Sequence, residues 1–151
     1  MSALYVDTSA LLKLYVQESS TDEVHRLVAA SRQSVDCHEF HRLESENAMR
    51  LKVFRGDIGP RQAEAALTQM RQDLRAGRLR RRSVEWEAAF VDARRLAQSH
   101  TRATGCRSLD LLHIAIACQW ECAAFLTLDD RQARAAAAAG LSLAKLPAAS
   151  A

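Results

Sequence analysis

The chain reads as an α/β protein, a parallel sheet with helices on both faces. Three observations predict this. Short apolar runs with strand character alternate with longer helical runs, the pattern of a parallel sheet covered on both faces. Carboxylates stand directly at the ends of two of the apolar runs, where open α/β sheets build their sites. The 151 residues are 48% hydrophobic, ample for one core, and no repeat or linker divides them. One domain over residues 1–146 is therefore expected, followed by a small-residue tail, 147–151, that begins at Pro147.

The first strand is Leu4-Tyr5-Val6, ending at Asp7 and passing through Thr8-Ser9 into the helix-forming run from Ala10 to Tyr15. Ser19-Ser20 opens a helix over Thr21 to Ser31, and a weak strand follows at Ser34 to Cys37. A periodic helix from about His38 to Arg55 closes at Gly56. Gly59-Pro60 opens the next helix, which carries Ala63, Ala66, Leu67, Met70 and Leu74 on one side and stops at Gly77, so that the two helices form a hairpin. Leu79 to Val84 holds Arg80-Arg81-Arg82, either a patch for phosphate backbone or an edge strand protected by charge, the second being preferred. Glu87 to His100 is helical and Gly105 breaks it. Ser108 is placed to cap a very apolar helix through Cys118, buried on all sides. Phe125 to Leu128 is a strand ending in Asp129-Asp130, an alanine-rich helix stops at Gly140, and a last strand spans Leu141 to Ala144.

Net charge is only +3, yet 18 of the 21 basic residues are arginine, whose planar fork suits phosphate, so the composition permits a nucleic-acid partner without demanding one. Met1 leads straight into the first strand with no basic region ahead of a long apolar segment; neither a signal peptide nor a membrane span is expected, and the location expected is cytoplasmic. Cys37, Cys106, Cys118 and Cys122 form no C-x-x-C pair and no zinc set with the five histidines, and are read as buried free thiols.

Four acids stand out. At about 100° per residue, Phe40, Ala48, Leu51 and Asn47 all lie within about 60° of Glu44, whereas Glu46 lies about 200° away beside Arg42 and Arg50. Glu44 is thereby centred on the apolar stripe and Glu46 is an ordinary surface acid. A core-facing carboxylate needs a partner, either an internal salt bridge, with Arg55 or His41 nearby, or a divalent cation shared with other acids. Asp110 opens the most apolar helix, where an acid also offsets the macrodipole. Asp129 shares the strand-end edge with Asp7, and its plain role is the N-cap of the helix after it. Acids gathered at one edge raise one another's pKa unless a cation neutralises them, which calls for Mg²⁺ or Mn²⁺.

These residues resemble those of the PIN-domain ribonucleases and, within them, the toxins of VapBC toxin–antitoxin pairs. The resemblance is carried by Tyr5-Val6-Asp7-Thr8-Ser9-Ala10-Leu11, by Leu43-Glu44 with Asn47 to Leu51, by Ser108 to Ala115, and by Phe125 to Asp129 with Arg131-Gln132. It implies a three-layer α/β/α PIN-like sandwich around a parallel sheet of about five strands, with an acidic pocket at the carboxyl edge of the sheet. Asp7, Glu44, Asp110 and Asp129 become the catalytic acids, Asp7 and Asp110 the principal metal ligands, and Thr8, Thr127 and Arg131 supporting groups, Thr127 supplying the family's hydroxyl. It further implies Mg²⁺-dependent hydrolysis of RNA, with Mn²⁺ as an alternative ion, a VapB-like antitoxin that packs against Leu11, Leu12, Tyr15 and Val16, and a homodimer. Arg107 and Arg131 would contact the RNA backbone, and no histidine serves as a base. One departure is Asp36-Cys37-His38-Glu39, where the family shows Ser or Thr before the second acid; Asp36 and Glu39 could alter metal number or substrate approach.

Two rival readings follow from the same acids. Haloacid-dehalogenase-like phosphatases need a second Asp two residues after the first, and that position is Ser9, which argues against covalent catalysis by Asp7. A non-catalytic PIN-like or receiver-like module that binds metal or a partner protein is the other.

Overall fold

The computed structural model describes residues 4–148; the rest of the expected tail, 149–151, lies outside them. Among the described residues, five strands and eight α-helices run in the order β1 (Leu4–Val6), α1 (Thr8–Leu12), α2 (Thr21–Ser31), β2 (Val35–Cys37), α3 (Glu39–Arg55), α4 (Pro60–Ala76), β3 (Leu79–Arg81), α5 (Trp86–Leu96), α6 (Arg102–Thr104), α7 (Ser108–Gln119), β4 (Ala124–Leu126), α8 (Asp130–Ala138) and β5 (Ser142–Leu143). A π-helical turn, Ala97–Thr101, joins α5 to α6. The α/β class is as the sequence predicts, and every strand pair is parallel. The expected sheet of about five strands is instead two ladders, β1-β4-β5 and β2-β3. The strands are two or three residues long, so each ladder holds few backbone bonds, and residues 4–9 with 83–145 and residues 10–82 with 146–148 form two compact units.

In the first unit, Leu4, Tyr5 and Val6 pair with Ala124, Phe125 and Leu126, and Ala124 and Phe125 pair onward with Ser142 and Leu143. Tyr5 stacks on Phe125 at 5.2 Å between centroids and lies 5.6 Å from Trp120. α7 is buried continuously from Leu111 to Ala117, as its all-round apolar sequence requires. That run includes His113, whose Nδ1 lies 2.6 Å from the Tyr5 hydroxyl and whose Nε2 lies 3.4 Å from the Thr8 hydroxyl, giving a buried imidazole polar partners. The helix starts at Ser108, with Arg107 at the N-cap and no side-chain cap, so Ser108 is not the cap its sequence position suggested.

In the second unit, Val35, Asp36 and Cys37 pair with Leu79, Arg80 and Arg81. Asp36 is buried and accepts bonds from Arg80 Nε at 2.7 Å and Nη2 at 3.1 Å and from Arg82 Nη1 at 3.2 Å. Two of the three consecutive arginines thus neutralise one buried acid, and Glu39 is held by Arg42 at 3.0 Å. The two acids that depart from the family pattern therefore meet arginines within their own unit. The α3–α4 hairpin forms as expected: His38 caps α3 by accepting the His41 N–H, Pro60 opens α4, and Gly56 and Gly77 adopt left-handed φ of 79° and 75° where the helices stop. Glu18 is held by Lys13 and by Lys52, which ties the chain after α1 to α3.

The buried face of α3 is His41, Ser45 and Met49. Leu43, Leu51 and Phe54 are exposed, Phe54 at 86%. The apolar stripe on which Glu44 was centred is therefore not the core face. Glu44 is half-buried at the edge between the two faces, and Glu46 is exposed as expected. The physical reason is that a smaller, more polar stripe packs inward on this helix and leaves the larger apolar side chains outside.

Candidate functional site

The parallel register of β1 and β4 builds the site. One step beyond the last pair, Val6 with Leu126, the Asp7 N–H donates to the Leu126 carbonyl at 2.9 Å and brings Asp7 beside Thr127. Asp7 is 4% exposed. The Thr127 hydroxyl donates to Asp7 Oδ2 at 2.9 Å, and the Ser9 hydroxyl donates to Oδ1 and Oδ2 at 2.8 and 3.0 Å. Ser9 in turn accepts the Leu128 N–H at 3.3 Å. Buried carboxylates require such partners, and the two hydroxyls supply donors to both oxygens of Asp7.

Thr127 is also the junction to the other acids. Its hydroxyl lies 2.6 Å from Gln132 Oε1, so its single proton is shared between two acceptors, and it accepts the Asp129 N–H at 3.1 Å. Gln132 is fully buried and donates from Nε2 to the Asp110 carbonyl at 3.1 Å. Asp129 caps α8, its Oδ1 accepting the backbone N–H groups of Arg131 at 2.8 Å and Gln132 at 3.1 Å. Arg107 spans two acids: Nε donates to Asp110 Oδ2 at 2.8 Å and Nη2 lies 3.7 Å from Asp129 Oδ2, while Arg131 reaches the same oxygen at 3.3 Å. Asp7, Asp110 and Asp129 are thereby joined through Thr127, Gln132 and Arg107 in one polar array of the first unit. Thr8, Thr127 and Arg131, the supporting groups expected from the sequence, belong to the same unit, and Thr8 turns toward His113. Glu44 lies on α3 in the other unit.

The electrostatics follow from these contacts. Burial pushes the Asp129 carboxyl up, but the Gln132 and Arg131 N–H groups and the Arg131 charge outweigh it and hold the group below the ordinary aspartate value. Arg107 is held more firmly protonated by its hydrogen bond to Asp110 and by the charge of that acid. The buried Cys106 thiol is pushed up to about 11, first by burial and then by the negative charges of Asp110 and Asp129. Carboxylate oxygens are hard donors, of the chemical kind that suits Mg²⁺ or Mn²⁺ better than softer ions.

Sequence reasoning placed the three acids of this unit but missed Ser9 and Gln132 as their supports. Asp129-x-x-Gln132 has the spacing of a helix cap with an amide at its third position, a visible local signal. The Gln132 contact with Thr127 and the Asp110 carbonyl is tertiary and leaves no local mark.

Neither a protein-family model nor a curated protein sequence matches the chain. The architecture is of the α/β class, with parallel strands and acids at the carboxyl ends of β1 and β4. Among solved structures, the chain is similar in fold to a chain of the crystal structure of FitAcB from Neisseria gonorrhoeae, with a TM-score of 0.65 and 16% identity over 93% of this chain and 95% of that one.

Proposed function

We propose that this protein is a metal-dependent endoribonuclease and the toxin member of a toxin–antitoxin pair, acting in the cytoplasm. The observation that carries the reading is the array joining Asp7 and Asp129, which follow β1 and β4, to Asp110 in the first turn of α7, reinforced by the four sequence motifs that resemble PIN-domain toxins and by the fold likeness.

In this reading Asp7 and Asp110 hold Mg²⁺ or Mn²⁺, with Asp129 completing the negative charge. When bound, the ion activates water and shields charge on the phosphoryl oxygens. Ser9 and Thr127 fix both oxygens of Asp7 in place, and Gln132 fixes the first turn of α7 that carries Asp110. Arg107 and Arg131, both exposed, hold the RNA backbone through phosphate contacts that give affinity but little base selectivity. In-line attack of water with departure of the 3′ oxygen leaves a 5′-phosphate and a 3′-hydroxyl. An antitoxin protein is the proposed regulator.

The test is incubation of the full chain with a mixed RNA pool, with and without Mg²⁺, followed by sequencing of new 5′-phosphate ends. Metal-dependent cleavage that is abolished in Asp7→Asn is expected, and Glu44→Gln in the same assay asks whether the acid of α3 shares in the activity. One observation favours the second reading, a non-catalytic binding module: Arg107 already pairs with both Asp110 and Asp129. Absence of metal-dependent cleavage across diverse RNAs would select it.

A further inference from the structure

We infer that Arg107 is an exchangeable counter-ion, which neutralises Asp110 and Asp129 until a divalent cation takes over their charge and then turns to the RNA phosphate beside them. The inference rests on the nuclease reading and deepens it, because it couples metal binding to RNA binding through one side chain.

The geometry separates a fixed pair of acids from a movable cation. Asp110 stands in the first turn of α7 and Asp129 caps α8, and their side chains are 17% and 23% exposed, against 65% for Arg107. Arg107 reaches both acids at once, with Nε 2.8 Å from Asp110 Oδ2 and Nη2 3.7 Å from Asp129 Oδ2. Its backbone is pinned. Gly105 takes a left-handed φ of 68°, the Thr104 hydroxyl accepts the Cys106 N–H at 3.2 Å, and the Arg107 carbonyl accepts the Leu111 N–H at 3.0 Å. The long side chain is the part left to move.

Ion pairs of so exposed a guanidinium are weak, since solvent screens the charges and holding a long side chain in one place costs rotamer freedom. A dication drawn to the same two oxygens carries twice the charge and repels the guanidinium, so the two compete for one place. The exchange strands neither acid. Asp129 keeps Arg131, whose Nη2 lies 3.3 Å from the same oxygen and whose stem is seated on the Gly105 turn, Cδ standing 3.7 Å from where a Cβ on Gly105 would lie. Asp110 exchanges a screened ion pair for the metal. The freed fork, still anchored at the start of α7, presents parallel N–H donors that match a phosphate in bidentate fashion.

The experiment titrates the full chain with Mn²⁺ alone, reading free ion by electron paramagnetic resonance. A second titration follows the anisotropy of a short fluorescein-labelled RNA with and without Mn²⁺, on probe that gels show to be intact. Arg107→Gln is expected to bind Mn²⁺ at least about threefold tighter than wild type, because the competing charge is gone, and to bind RNA more weakly. Mn²⁺ should strengthen RNA binding by a factor at least about threefold larger in the wild type than in Arg107→Gln, and by linkage RNA should strengthen Mn²⁺ binding to the same extent. Arg134→Gln controls for the loss of one positive charge: Arg134 is an exposed arginine of α8 that bonds to the Thr104 carbonyl, and its removal should leave Mn²⁺ affinity unchanged. Circular dichroism should be unaltered in both variants, since each arginine is exposed. An Arg107→Gln protein that binds Mn²⁺ no tighter than wild type, or an RNA enhancement equal in the two, would overturn the inference and leave the nuclease reading standing. Failure of both forms to bind Mn²⁺ would overturn that reading and the inference with it.

Discussion

Thr127→Val tests whether the polar array is a single mechanical unit. The substitution keeps the shape and the β-branch of the side chain but deletes the hydroxyl. That hydroxyl serves three partners: it lies 2.9 Å from Asp7 Oδ2, 2.6 Å from Gln132 Oε1, and accepts the Asp129 N–H at 3.1 Å. Asp7 and Gln132 are both almost fully buried, so water does not replace the lost bond at either side chain. A bond to a charged group contributes about 1.5–3 kcal/mol, and each buried polar atom left unsatisfied costs about 1–3 kcal/mol. Ser9 still serves Asp7, which places the combined cost near 3 kcal/mol rather than at the upper end. In urea, with a slope of about 2 kcal/mol/M for a chain of this size, the midpoint should fall by roughly 1.5 M. Thr127→Ser, which keeps the hydroxyl, should lose less than about 1 kcal/mol. Under the nuclease reading, Thr127→Val should also lower activity by about 10- to 100-fold, the usual cost of removing a group that orients a ligand. A midpoint within about 0.25 M of wild type would refute the argument that Thr127 couples Asp7 to Gln132.

Other outcomes are expected with equal definition. Gly77→Ala should cost about 1 kcal/mol and lower the melting temperature by about 2–4 °C, because φ is 75° there; nothing lies within 4 Å of an added Cβ, so the cost is backbone strain alone. Asp129, whose folded pKa is depressed, contributes stability that is present above the unfolded value of about 3.9 and is lost as pH falls through the folded value. Asp129→Asn should flatten that part of the acid-unfolding curve followed by urea midpoints. In native protein, iodoacetamide should label exposed Cys118 first, whereas buried Cys37 and Cys106, both pushed up to about 11 with burial as the leading cause, should react only after unfolding, as read by mass spectrometry.

Chain punctuation was readable because its physics is local. Gly56, Gly77 and Gly140 end their helices with positive φ, and Pro60 opens α4, each dictated by the residue itself. Asp129 caps α8 for the same reason. Ser108 misled because a hydroxyl beside a helix start is no guarantee of the capping position, which Arg107 occupies in extended conformation. The strand-end acids were found from the alternation of runs, since a parallel sheet collects its carboxyl ends along one edge. Glu44 exposed the limit of helical arithmetic: spacing shows which residues share a face, but not which face packs inward. On α3 the inward face is the modest stripe of His41, Ser45 and Met49, and no count of apolar residues would select it over Leu43, Leu51 and Phe54. The supporting roles of Gln132 and Arg107 arise from contacts across three elements and have no sequence period to betray them.

The packing of Tyr5 against Trp120 has a practical consequence. The two tryptophans of the chain, Trp86 and Trp120, both belong to the unit that carries the acids, and Trp120 is buried with its indole N–H bonded to the Ser83 carbonyl at 3.0 Å. Tryptophan emission is thus a built-in reporter of that unit alone, whereas far-ultraviolet circular dichroism sums the helices of both. Superimposable denaturation curves from the two probes would mean that the units melt cooperatively, and a dichroism transition displaced from the emission transition would give each unit its own stability.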